Sequence, residues 1–208
     1  MQYRSSHRLG VMVSEIGLGC WQLGAADWGD VPEPRAMEEA KICLQHADCD
    51  SLQIIFNIFR QKPIDELFAE AKEKGVAIIV RLPLASGLLA GTYKRDTAFA
   101  ASDHRNYNRN GEKFNVGETF AGLEFARGVE LADRIRAWVP SGPSMAEFAI
   151  RRILDHDAVT SVIPGASKPQ QAISNARPSD LAPLPANVHK ELRELYAAEI
   201  AASIRGPY

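Results

Sequence analysis

The sequence predicts an α/β fold built on a parallel sheet. Three apolar runs, at 51–59 (SLQIIFNIF), 76–84 (VAIIVRLPL) and 160–164 (TSVIP), read as strands covered on both faces. The stretches between them place apolar residues at helical spacing. Two of these runs exit into small residues, at 83–91 (PLASGLLAG) and 164–168 (PGASK), as does an earlier one at 19–24 (GCWQLG). Strands alternating with amphipathic helices imply right-handed crossovers and parallel pairing.

The elements follow in order. Residues 2–13 read as a short hairpin turning at Gly10. The apolar stretch 13–23 is a buried strand running into a Gly-rich exit, and 24–35 is a loop punctuated by Gly24, Gly29, Pro32 and Pro34. A helix is expected over 35–46, where Ala36, Ala40, Cys43 and Leu44 recur at helical spacing. After the strand at 51–59, Pro63 opens a helix over 64–74 that stops at Gly75. The polar, Asn-rich stretch 92–118 is long for a connection, so it reads as a functional loop or a pair of short helices. Further helices fit at 124–138, 144–155 and 186–200.

Composition narrows the function classes. The 208 residues carry 24 Lys plus Arg against 26 Asp plus Glu, a net charge of −2. That balance lacks the concentrated basic excess that nucleic acid requires. No apolar run approaches the ~18 residues of a membrane helix, and the start, MQYRSSHRLG, lacks the apolar stretch of a secretory signal. Three cysteines (Cys20, Cys43, Cys49) are an odd number, which points to a reducing, cytoplasmic setting.

Ligands in α/β folds sit at the carboxyl ends of the strands. Here those ends are rich in Gly, Ala and Ser, whose backbone N–H groups approach a phosphate closely. A phosphate-bearing ligand is the expectation. It is not bound by a Rossmann fingerprint, because 17–24 reads GxGxxxxG, nor by a P-loop, because no GxxxxGK[ST] occurs. Cys43, His46 and Cys49 offer only three metal ligands, and a buried helix face explains Cys43 better; no metal is expected. His104, Arg105, Tyr107 and Arg109 sit together in the long loop, as contacts for an acidic ligand or as solvated loop residues. His156, beside Asp155 and Asp157 at a helix end, reads as a cation meeting the helix dipole. Spacing alone yields no catalytic set.

Four motifs in order, VSEIGLGCWQLG, LQIIFNIFRQKP, PLASGLLAG and VIPGASKPQQAISNA, resemble the aldo-keto reductase family. The resemblance covers almost the whole chain as a single domain, 1–208. It implies a TIM-barrel (β/α)8 fold and reduction of aldehydes or ketones with NADP(H), or with NAD(H) as the alternative. Residues 1–30 resemble the family's bottom hairpin and first strand, and those from 35 onward its C-terminal part. Only residues 31–35 stand where strands two to five belong. The family's catalytic Asp, Tyr, Lys and His fall in that stretch, so no catalytic residue is assigned.

What the resemblance implies is the cofactor half. Gln53 would meet the nicotinamide carboxamide. Pro83, Leu84, Ser86 and Leu88 would line the pyrophosphate. Gly165, Ala166, Ser167, Lys168, Gln171 and Asn175 would hold the adenosine end, with Lys168 favouring a 2′-phosphate. Trp21 stands on the substrate side, or in the core. Arg81 replaces the aromatic ring that many members stack on nicotinamide, and Ser174 the acidic residue directed at adenine. Four strands, at 14–19, 51–59, 76–83 and 159–164, cannot close a barrel. The expectation is an incomplete half-barrel plus the N-terminal hairpin. Its first strand would pair with 51–59 or leave an open edge, and exposed faces would favour a homodimer.

Overall fold

The computed structural model describes residues 2–6, 10–16, 44 and 50–206. Strands β1 (Tyr3–Ser6) and β2 (Val11–Ser14) form the antiparallel hairpin, with Tyr3 opposite Ser14 and Ser6 opposite Val11. Gly10 closes it at φ +63°, a left-handed conformation that costs glycine nothing sterically. Its N–H donates to the Ser6 carbonyl at 3.0 Å.

Strands β3 (Ser51–Ile55), β4 (Ala77–Arg81) and β5 (Val159–Val162) form a parallel sheet in chain order. Gln53 lies opposite Ile79, Ile55 opposite Arg81, and Ile79 opposite Ser161. β3 is shorter than the apolar run predicts. Beyond it Asn57 and Arg60 bridge a tight turn, where the Asn57 side-chain oxygen accepts from the Phe59 N–H at 2.9 Å. Its amide donates to the Leu82 carbonyl at 2.9 Å, tying the end of β3 to the end of β4.

Among the described residues, the first strand does not pair with 51–59. Ile16 bridges Val162 in parallel, and the Val162 N–H donates to the Glu15 carbonyl at 2.9 Å. The cause is Arg4, whose Nε donates to Glu15 Oε1 at 2.6 Å and whose Nη1 donates to the Val159 carbonyl at 2.6 Å. Arg4 Nη2 reaches the Leu154 carbonyl at 2.5 Å. Ser179 Oγ donates to the other Glu15 oxygen at 2.9 Å. This fork pins the hairpin to the start of β5 and delivers residue 16 to that strand's edge. Residues 17–19, like most of the helix expected over 35–46, lie outside the described residues; Leu44 is helical and buried.

The helix expected over 64–74 is two, α1 (Lys62–Glu66) and α2 (Phe68–Glu73), broken where Leu67 takes φ −131° with its side chain 1% exposed. Gly75 ends α2 at φ +67°. The long connection carries α3 (His104–Tyr107) and 3₁₀ turns at Val116–Glu118 and Phe120–Gly122. Helix α4 (Phe125–Ile135) and a 3₁₀ turn to Trp138 fill the predicted 124–138. Helix α5 (Met145–Leu154) starts on a capping box in which the Ser144 hydroxyl accepts from the Glu147 N–H and the Glu147 carboxylate accepts from the Ser144 N–H. Helix α6 (Pro169–Ala176) follows β5, and α7 (Ala186–Leu195) continues through a π turn to Ile200.

Helices α2 and α5 cover one face of the sheet, where Ile54, Ile78, Val80 and Val162 pack with Phe68, Ala71, Ile150 and Leu154. A second cluster joins Leu88, Leu89, Phe120, Phe125, Phe148 and Leu192. The other face of the sheet carries Gln53, exposed, and Ile55, Ile79, Arg81, Ser161 and Ile163, all part-exposed. In a closed barrel these alternate residues would fill the interior. The fold is therefore an incomplete barrel, helices outside and the inner face open among the described residues.

Candidate functional site

Parallel pairing brings the carboxyl ends of all three strands to one edge of the sheet. The exit of β4 is a strained turn. Leu82, Ala85 and Ser86 take φ of +52°, +48° and +55°, left-handed values rare for residues with a Cβ. Among the described residues only Phe120 and Ala121, at +53° and +57°, share this state without being glycine. The two strained turns face each other. Ser86 Oγ accepts from the Phe120 N–H at 3.1 Å and donates to the Glu118 carbonyl at 3.3 Å. Strain of this kind persists where the surroundings over-determine it, and it concentrates at functional sites.

Arg81 and Glu118 join the same two segments. Arg81 Nη2 donates to Glu118 Oε1 at 2.5 Å, and Nη1 pairs with the second oxygen. The pair stands at the end of β4 on the open face, with side chains 25% and 19% exposed.

At the exit of β5, three donors converge on one oxygen. The N–H of Ser167, the hydroxyl of Ser167 and the N–H of Lys168 reach Gln171 Oε1 at 2.8, 3.1 and 3.1 Å. Gln171 thus caps the start of its own helix, where the dipole favours negative charge. Asn175, 7% exposed, donates to the Gly165 carbonyl at 3.3 Å and holds the loop.

The structure thus brings Leu84, Ser86, Gly165, Ala166, Ser167, Lys168, Gln171 and Asn175 to one edge, with Gln53 farther down the open face. Pro83 is buried, and Leu88 is a core side chain, 1% exposed. Trp21 lies outside the described residues, as do Cys43, His46 and Cys49. Sequence reading missed Asn57 and Glu118. Asn57 had a signal, a polar residue inside an apolar run at the point where the strand stops. Glu118 had none, since it lies in an aperiodic loop and its partner is distant.

The polar loop residues have partners within the fold. Asp103 caps α3 by accepting from the Arg105 N–H at 2.9 Å, and the Arg105 side chain bonded to it holds its carboxyl below the usual range. The guanidinium of Arg105 lies 4.7 Å from the Phe99 ring centroid, and that of Arg109 5.0 Å from Phe125. A groove of about 520 Å³ runs between residues 95–99 and 106–112.

His156 is not the cation expected at a helix end. It packs edge-on against Phe56 with ring centroids 5.1 Å apart. Its Nε2 contacts Nη1 of Arg152, itself 1% exposed. Burial first, then the Arg152 and His189 charges, push its pKa down to about 3, so the ring stays neutral.

Known proteins resemble this chain in sequence and in fold. Two curated relatives, each named a probable voltage-gated potassium channel subunit beta, come from Arabidopsis thaliana and Oryza sativa subsp. japonica. They are 28% identical over 135 residues and 29% over 138, covering 62% of this chain. The chain spans only 38% of either relative. Among solved structures, the glycerol dehydrogenase AKR11B4 from Gluconobacter oxydans superposes with a TM-score of 0.59 at 23% identity, over 76% of this chain and 45% of that one. The aldo-keto reductase AKR11C1 from Bacillus halodurans, in its holo form, gives 0.54 at 22% identity, over 77% and 45%. These two likenesses establish the fold. The profile of the aldo/keto reductase family matches residues 32–197. With a match over most of its length, this chain belongs to the aldo/keto reductase family.

Proposed function

We propose that the chain binds a nicotinamide dinucleotide, NADP(H) ahead of NAD(H), at the carboxyl edge of its sheet, with little or no reductase activity. The observation that carries this is the convergence of the Ser167 and Lys168 donors on a single oxygen at the start of α6. A phosphate oxygen taking the place of Gln171 Oε1 would meet the same three donors, with the exposed Lys168 beside it for a 2′-phosphate. The chemistry of this donor set fits the cofactor. The remaining assignments follow the resemblance: the Ala85–Ala90 turn against the pyrophosphate, and the nicotinamide over Gln53 and the end of β4. The bound cofactor would supply hydride; the residues named here bind and orient it.

Low activity follows from the absence of an assigned proton donor. General acid–base catalysis contributes about 10²–10⁴-fold, so turnover is expected to fall at least that far below a complete enzyme. NADPH fluorescence titration followed by oxidation with a panel of aldehydes tests the reading. Saturable binding is expected, with oxidation no faster than in Gln53→Ala. Faster oxidation would mean that another acid has been recruited, and no binding would remove the reading.

A second reading is a non-catalytic module that meets a partner through the open face, in the reducing cytoplasm. It is favoured by the part-exposed row Ile55, Ile79 and Ile163. Apolar sheet surface of this kind promotes association, and a homodimer is the simplest outcome. A monodisperse monomer in light scattering would count against it.

A further inference from the structure

Two arginines stand four residues apart in the long polar connection, and the fold uses them differently. Arg105 is consumed. Its Nε donates to Asp103 Oδ1 at 2.9 Å, its Nη2 pairs with the same carboxylate and its Nη1 with the Tyr93 hydroxyl. Arg109 is fixed in place but keeps its outer donors. Its Nε donates to the Arg105 carbonyl at 3.3 Å, and its guanidinium lies 5.0 Å from the Phe125 ring centroid and 5.8 Å from that of Phe99. The backbone beneath it is held too, since Arg205 donates to the Arg109 carbonyl at 3.2 Å and to Asn110 Oδ1 at 3.0 Å. Among the described residues, neither Nη group of Arg109 has an acceptor or a carboxylate partner. Arg109 is part-exposed and lines the groove of about 520 Å³.

We propose that this groove is an oxyanion site, in which Nη1 and Nη2 of Arg109 take the phosphate or carboxylate group of a small ligand through paired hydrogen bonds. The planar guanidinium matches the oxygens of either group. Ring stacking and the bond from Nε hold the side chain before a ligand arrives, so little freedom is lost on binding. Arg95, on the same lining, adds an exposed cation, its Nη2 only loosely placed at 3.6 Å from Glu130. The lining also carries two carboxylates. Glu112 is occupied, accepting from the Asn110 N–H at 2.8 Å and from its side-chain amide at 2.9 Å. Asp96 is exposed and lies beyond ion-pair distance of Arg109, so the groove suits one anionic group and repels a second. The proposal does not rest on the dinucleotide reading.

Amide NMR titration of the chain with inorganic phosphate and with acetate, at an ionic strength held constant with sodium chloride, tests this. At least one of the two anions should give saturable shifts at the amides of Asn106, Asn110 and Glu112, and the one that does names the group the site prefers. Arg109→Met, which keeps the stem over the rings, should weaken that binding about tenfold or more, the worth of hydrogen bonds to a charged group. Arg109→Lys, which keeps the charge without the fork, should fall between parent and Arg109→Met. Lys72→Met removes one charge near the amino end of the sheet, where Lys72 pairs with Asp157, and should leave the binding unchanged. If Arg109→Met fails to fold in a thermal melt, Arg109→Lys decides, and parent-like binding in it overturns the proposal. Shifts that do not saturate with either anion, or that fall outside the groove, overturn it as well. So does binding that survives in a folded Arg109→Met. Loss of NADPH binding with the groove still responding would remove the dinucleotide reading and leave this site standing.

Discussion

Arg152 donates to Nε2 of His156 where α5 meets α1 and α7, the guanidinium buried and the ring part-buried. Arg152 also donates to Gln61 Oε1 at 3.0 Å, and the Gln61 amide reaches the Leu192 carbonyl at 3.1 Å. The contact requires a neutral imidazole with Nε2 unprotonated. Protonation would set two cations together in a site that already holds Arg152 well below its ordinary pKa, at about 10, by burial.

Acid should therefore destabilise the fold through this residue. His156 has a folded-state pKa of about 3 against an ordinary value of 6.5, so the unfolded chain binds its proton first. Its contribution is fully present above pH 6.5 and is lost as pH falls from there toward 3. At pH 5 the loss is about 2 kcal/mol relative to pH 7. Denaturant melts across this range should show the slope, and His156→Gln, which keeps an acceptor but does not titrate, should flatten it.

Arg4→Met should release the hairpin. It would strip Glu15, 6% exposed, of its guanidinium and leave the carbonyls of Leu154 and Val159 short of a donor. Removing one partner of a buried ion pair costs about 3 kcal/mol or more. Hydrogen exchange at the Val162 N–H should accelerate beyond the change expected from global stability alone.

Gly128→Ala tests the packing beneath the strained turn. An added Cβ would lie 2.6 Å from Leu88 Cδ1, inside contact distance, on a helix whose neighbour is fully buried. Overpacking of this kind costs about 1–3 kcal/mol. Equilibrium unfolding should show that loss, although alanine is the better helix former.

Ser86→Ala should loosen the two facing turns by deleting the acceptor for the Phe120 N–H. An orphaned buried donor costs about 1–3 kcal/mol. The expected signature is a lower melting temperature together with weaker NADPH binding, read in the same fluorescence titration.

Much of the fold was legible residue by residue. The apolar run 76–84 and the Gly75 stop are local signals, and the strand and the helix end appear where the pattern puts them. Other expectations needed packing to correct them. The 51–59 run could not reveal that Asn57 turns the chain, because that depends on the Leu82 carbonyl lying opposite. The break at Leu67 divides a helix that periodicity draws as continuous.

By itself, the sequence determined the α/β alternation, the helix stops, the small-residue strand exits and, through four ordered motifs, the family. Those depend on propensity and periodicity within a few residues of each position. Only the tertiary structure decided that residue 16 joins β5, that Glu118 pairs with Arg81, and that His156 is a part-buried neutral ring rather than a cation. Each of these is a match between polar groups far apart in the chain. Its energy depends on distance and burial, which no local pattern carries.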